Sequence, residues 1–290
     1  MKTLNPILVL IVMFFVARYN KTEGKITKTM TIDSLGTCQG ISYQNGRYFL
    51  YGDREVGVMR EYQLQKDSLI DQHKEYRFTV KGENIIKHPT GIAYHKGLPT
   101  FVGNSVKQNA GTLWKAVINC INWEGFLKTK TLDGNLVKSI EDDACIQGTR
   151  PEYVNYKGKW FVATADYGNK ANEVRLYNPI ALSKASKTSE KGILFKKFTC
   201  SPWVQNLHYI AAKGILVLIQ NQIEGRKWRL TFLDLEKSLA SGQESVIKVV
   251  DTNKPDELEG FTFTGKADKG IAVSSSRKNN VSFMDIAGGG

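Results

Sequence analysis

Acidic, amide and basic side chains recur in this sequence at matched positions, and their types suit proton transfer or cation binding. Gln39, Thr90, Glu152, Asn206 and Glu259 each open an apolar, strand-like segment. Asp53, Asn104, Asp166, Asn221 and, in looser register, Arg277 each follow the next apolar segment. The steps from Gly40 to Asp53, from Gly91 to Asn104 and from Tyr153 to Asp166 are equal, so the register is internally consistent. Arg54, Arg150 and Gln205 lie beside these positions. His88 stands just before Pro89-Thr90, where an imidazole can act as a general base.

Three chemistries are open to such a set. Oxygen donors from Asp53, Glu152, Asp166, Asn206, Asn221 and Glu259 are of the kind Ca2+ takes, and a bound Ca2+ can polarise an ester, lactone or phosphate. Glu152 and Glu259 can instead serve as the acid and base of glycoside hydrolysis, with His88 as a further candidate base. The third chemistry is recognition without turnover. Gln39, Thr90, Asn104, Arg150, Gln205 and Arg277 would then hold a small polar or anionic ligand. The plainest alternative is that acids and amides at strand ends cap loop N–H groups. No GxSxG or HExxH motif occurs. Residues 260–267 imitate a phosphate loop but end in Ala267 and lie on an expected hairpin.

The elements that must position these residues are repeats. One pattern recurs five times: a polar residue, a short alternation ending in Tyr or Phe, a turn, then an apolar strand. It begins at Gln39-Gly40-Ile41, Thr90-Gly91-Ile92, Glu152-Tyr153-Val154, Asn206-Leu207-His208 and Glu259-Gly260-Phe261. Turns such as Asn45-Gly46 and Lys157-Gly158 make hairpins. Apolar runs such as Tyr48-Phe49-Leu50-Tyr51 suit strands covered on both faces. Third strands follow, and fourth strands are expected at 76–80, 127–130, 193–198 and 246–250. Short helices are expected near 179–184 and 235–239.

The fifth copy ends after its third strand, and 26–32 has the composition to supply the fourth. An N-terminal strand closing the last unit removes an open edge. The reading is an all-β, five-bladed β-propeller of four-stranded blades over 25–287, with six blades as the alternative if one interval hides a degenerate copy.

Gln39-Gly40-Ile41, with Asn45-Gly46 and Tyr51, resembles the opening Gln-Gly-Leu blade of plant-type glutaminyl cyclases. Asp256-Glu257-Leu258-Glu259 is similar to their Asn-Glu-Leu-Glu segment. The resemblance implies five blades, cyclase activity and aromatic residues lining the channel. Trp114, Trp123, Trp160, Trp203 and Trp228 mostly fall in expected strand bodies. The Glu-Gly entry and the Asn/Asp ring also resemble, at fold level, calcium-dependent lactonase and gluconolactonase propellers.

Residues 1–21 carry Lys2, an apolar run from Ile7 to Ala17, then Arg18 and Lys21. The run is too short to span a bilayer comfortably and reads as a signal peptide or a signal-anchor. The expected setting is secreted, extracellular or periplasmic, with no stable membrane span. Four cysteines, Cys38, Cys120, Cys145 and Cys200, would allow two disulfides in any of three pairings. The net charge of +12 favours anionic partners, but the lysines are scattered, with no aromatic-interleaved stripe for nucleic acid. A monomer is expected.

Overall fold

The computed structural model describes residues 20–108, 114–145, 147–169, 172–221, 227–266 and 268–287. The apolar run of residues 7–17 lies outside them. Five antiparallel sheets form the blades of a propeller. Blade 1 comprises Cys38–Gln44, Arg47–Asp53, Gly57–Gln65 and Ser68–Arg77. Blade 2 comprises Pro89–Ala93, Thr100–Lys107, Trp114–Ile121 and Leu136–Glu141. Glu152–Tyr156, Lys159–Ala165, Glu173–Tyr177 and Leu194–Thr199 make blade 3. Val204–Ile210, Ile215–Asn221, Trp228–Asp234 and Val246–Thr252 make blade 4.

Blade 5 is built from both ends of the chain. Leu258–Phe263, Lys269–Ser274 and Val281–Asp285 are completed by Lys25–Met30, antiparallel to Val281–Asp285. The expected N-terminal closure is therefore present. Asn280 fixes it: its Oδ1 accepts from Ile32 N at 2.8 Å, and its Nδ2 donates to Ile32 O at 2.9 Å. A second N-terminal strand, Asn20–Glu23, pairs in parallel with the outer edge of blade 4.

Apolar side chains explain the ring. In the second strand of blade 1, Tyr48 and Leu50 pack with Ile271, Val273 and Phe283 of blade 5. Phe49 and Tyr51, pointing the other way, pack with Ile92 and Val102 of blade 2. Both faces are thus covered by neighbouring blades, which gives these strands their unbroken apolar runs. The other three seams repeat this between blades 2 and 3, 3 and 4, and 4 and 5. Five seams close a five-bladed ring, so the six-bladed alternative falls away.

Outer strands depart from expectation. The fourth strand of blade 1 is Ser68–Arg77 rather than 76–80, because an outermost strand keeps one face in water and alternates. Thr79–Val80 instead pairs with Glu83–Asn84 in a small hairpin. Residues 127–130 are not a strand. Trp123, Phe126 and Leu127 follow a helical period, and Trp123–Thr129 is a helix whose N-cap Asn122 accepts from Gly125 N. The two expected helices are present as Pro179–Leu182 and Leu235–Ser241.

The cysteines form no disulfide; all four are buried and free. Cys38, Cys120 and Cys200 belong to different seams. Burial pushes the thiols of Cys38 and Cys200 up to about 12 and that of Cys120 to about 11. Among the described residues no helix is long and apolar enough to cross a membrane.

Candidate functional site

The inner ends of the blades surround a central channel, and one device aims side chains into its mouth. At the entries of blades 1, 2, 4 and 5 the pairing register slips by one residue. The extra residues are Gln39, Thr90, Gln205 and Glu259. A β-bulge re-aims its extra side chain, and three of these four line the mouth. Thr90, with the shortest side chain, instead hydrogen-bonds Thr149 O. Blade 3 pairs regularly through Glu152, with no slip.

The second-strand ends have a shared structural role. Asp53 Oδ1 accepts from Thr37 N at 3.0 Å, and Asn104 Oδ1 accepts from His88 N at 3.1 Å. Asp166 Oδ1 accepts from Gln147 N at 2.9 Å, and Asn221 Oδ1 accepts from Leu258 N at 2.8 Å. Each clips a loop that enters an inner strand. In blade 5 the corresponding residue is Ser274, whose hydroxyl donates to Asp256. Arg277 is exposed in the turn beyond it and does not reach the mouth. Arg54 turns to Glu75, at 3.0 Å.

The mouth is a cavity of about 410 Å³. Of the residues expected there, Gln39, Asp53, His88, Arg150, Gln205 and Glu259 line it. Sequence reasoning missed Trp114, Gln147, Tyr167 and Glu257, which come from irregular loops or strand margins. The Glu257-x-Glu259 spacing beside a bulge glycine was the available signal for Glu257.

His88 Nδ1 lies 3.0 Å from Asp53 Oδ2. With Asp53 ionised and the imidazole neutral, Nδ1 carries the proton and Nε2 is the acceptor. Gln39 Nε2 donates to the same Asp53 oxygen at 3.4 Å. Arg150 is only 3% exposed. Its guanidinium donates to Gln205 O and Gln205 Oε1, each at 3.2 Å, and stacks 5.5 Å from the Tyr167 ring. Burial lowers its proton affinity, and Asp166 and Glu259 act against that. Gly148 keeps φ at 123°, and a Cβ there would strike Ser105 Oγ and the Arg150 guanidinium. The Glu259 carboxyl is held well above the usual carboxylate range. Burial is the main cause, nearby Glu257 adds to it, and Arg150 opposes it.

Glu152 and Asn206 do not join this mouth. They line a separate cavity of about 180 Å³. Tyr51 lies at the boundary. Its hydroxyl accepts from Asn206 Nδ2 at 3.0 Å, and Asn206 Nδ2 also reaches Glu259 O at 3.1 Å. Tyr51 crosses directly over Gly40, where any Cβ would overlap the ring. Gly40→Ala is accordingly expected to cost about 1–3 kcal/mol through overpacking, measurable by urea unfolding. The paired use of Glu152 and Glu259 on one glycosidic bond does not fit two cavities. The six side chains expected as Ca2+ ligands are likewise divided between the cavities and the loop clips. Among the described residues, no group of three or more His, Cys, Asp or Glu converges to hold a metal ion.

Fold and mouth together define a five-bladed β-propeller with a polar cavity at the mouth of its channel. A solved structure of glutaminyl cyclase from Myxococcus xanthus superposes with a TM-score of 0.53 at 12% identity, over 93% of this chain and 100% of that one. Kuenenia stuttgartiensis hydrazine synthase gives 0.44 at 12% identity, over 86% of this chain and 59% of that one. The C-terminal WD40 domain of Sif2 gives 0.39 at 9% identity, over 87% and 70%. No family model matches the chain, and no curated protein sequence matches it. These similarities are similarities of fold.

Proposed function

We propose that the mouth binds a small polar substrate and catalyses acyl transfer at its amide or ester group, with His88 as base and Glu259 as acid. One observation carries the reading: an imidazole hydrogen-bonded to a carboxylate and a buried carboxyl whose proton affinity burial raises line the same cavity. Arg150, a buried guanidinium at the mouth, supports a polar or anionic end of the substrate.

Cyclisation of an N-terminal glutaminyl residue is the member of this class that the chain favours. The two segments similar to the cyclases supply Gln39, Glu257 and Glu259 to one cavity. In that reaction the α-amine nitrogen bonds to the γ-carboxamide carbon, and the bond to the amide nitrogen breaks. His88 takes the proton from the amine. Glu259 delivers one to the departing ammonia, and solvent restores both groups. No step is routed through Ca2+. The apolar run of residues 7–17 supports an exported setting.

The test is release of ammonia from a glutaminyl peptide, followed by a panel of small amides, esters and lactones, each with and without a chelator and added Ca2+. Turnover that a chelator leaves intact supports the reading. Turnover restored only by Ca2+ would move the chemistry to a metal. No turnover on any member, with saturable ligand binding, would make the mouth a recognition site. Asp53→Asn is expected to lower the rate about 100-fold or more by releasing the His88 tautomer, with little change in KM.

A further inference from the structure

The second cavity holds an acid with no counter-charge. Glu152 opens the first strand of blade 3 without a bulge, so it faces away from the mouth. One carboxylate oxygen accepts from Tyr153 N at 2.8 Å. Burial pushes the carboxyl up to about 8, and no neighbouring cation acts against that. Gln44, only 7% exposed, lines the same cavity; its Nε2 donates to Ser42 Oγ, but its Oε1 accepts no hydrogen bond.

Tyrosine rings and aliphatic groups make up part of the remaining wall, beside Ser42, Asn206 and His208. Tyr43, Tyr94 and Tyr209 present rings, and Ile41, Ile92 and Leu207 present aliphatic surface. Tyr43 is 51% exposed, which puts it at the border with solvent. His208 is held down to about 4 by burial and is therefore neutral near pH 7. The cavity offers a carboxylate and π faces, and no Lys or Arg lines it.

We infer that this second cavity is a binding site for a small primary alkylammonium ion, its charge on Glu152 and its stem against the tyrosines and aliphatic side chains. A cation over an aromatic face gains from the ring quadrupole. A hydrated inorganic cation suits the site poorly, because one carboxylate and one amide cannot replace its water shell. This inference is independent of the chemistry at the mouth.

The ammonium binds ionised Glu152, so binding expels the carboxyl proton. The other titratable groups facing Glu152 are His208, neutral in this range, and the phenols of Tyr43, Tyr51, Tyr94 and Tyr209. Affinity for propylammonium is therefore expected to rise about tenfold per pH unit from pH 6 to the carboxyl's midpoint near 8, then level off. Calorimetry in two buffers of different ionisation heat would read the proton released. Glu152→Gln, close in shape to the protonated acid, should keep its melting temperature at pH 6 and lose both the pH slope and most of the affinity. Propanol and sodium ions serve as the neutral and inorganic probes. Failure of 100 mM propylammonium to bind at pH 8.5 would overturn the inference. So would equal binding by Glu152→Gln, by propanol or by sodium.

Discussion

Glu259→Gln is expected to lower kcat on the mouth's substrate by about 10²–10⁴-fold with KM nearly unchanged. The amide keeps the shape of the protonated carboxyl and can still donate a hydrogen bond, but it has no proton to surrender. The fold should survive, because the contact that Asn206 makes here is to the Glu259 backbone carbonyl. Steady-state rates beside a melting curve separate the outcomes. Lost turnover with an unchanged melting temperature assigns Glu259 to chemistry. An equal fall in both would reduce it to packing, and unaltered turnover would remove it from the mechanism.

Folding stability should fall as the solution is taken from about pH 5 to pH 8, and Glu152→Gln should flatten much of that slope. Glu152 titrates near 8 in the folded chain, against 4.5 for an ordinary glutamate. Between those values the unfolded chain has lost the proton and the folded chain retains it. Raising the pH therefore favours unfolding, by up to about 1.4 kcal/mol per pH unit from this group. The contribution is full below the ordinary value and gone above the folded one. Glu259 shifts in the same direction. Asp251, paired with Arg229, and Glu75, paired with Arg54 and Arg60, are held low and act in the opposite sense only at more acid pH. The difference between wild type and Glu152→Gln in urea titrations isolates the carboxyl. Parallel curves would mean that water reaches Glu152 freely.

The ring could be read from the sequence because its inner strands are covered on both faces. Tyr48-Phe49-Leu50-Tyr51 advertises two seams at once. Ser68–Arg77 advertises none, since an outermost strand needs only one apolar face, and it was passed over for a neighbouring apolar stretch. Trp123–Thr129 misled because Leu127 and Thr129 alternate like a strand, while the capping Asn122 and the Trp123–Phe126 spacing argue for a helix.

At the mouth, Gln39, Asp53, His88, Arg150, Gln205 and Glu259 were legible as polar residues at strand ends. The side to which each turns was not. A bulge adds one residue without altering composition, so Asn206 was aligned with Glu259, although Gln205 is its true counterpart. The same blindness put Glu152 in the mouth. Trp114 and Tyr167 escaped because tertiary placement, and no periodicity, brings them to the cavity.

The clasp that joins Lys25–Met30 to Val281–Asp285 also dictates the order in which the molecule can be finished. Thr27 donates to Phe283 O across 256 residues of chain. As the polypeptide emerges from the ribosome, Lys25–Met30 must stay unpaired until Val281–Asp285 has been made. That pairing closes the longest loop of the blades, and contacts of such separation form slowly. Blades 1 to 4 can assemble progressively, while blade 5 exists only once the two ends meet. A nascent chain truncated before Val281 therefore carries an orphan strand and an open seam, and it is in this interval that the molecule is most exposed to pairing with a neighbour.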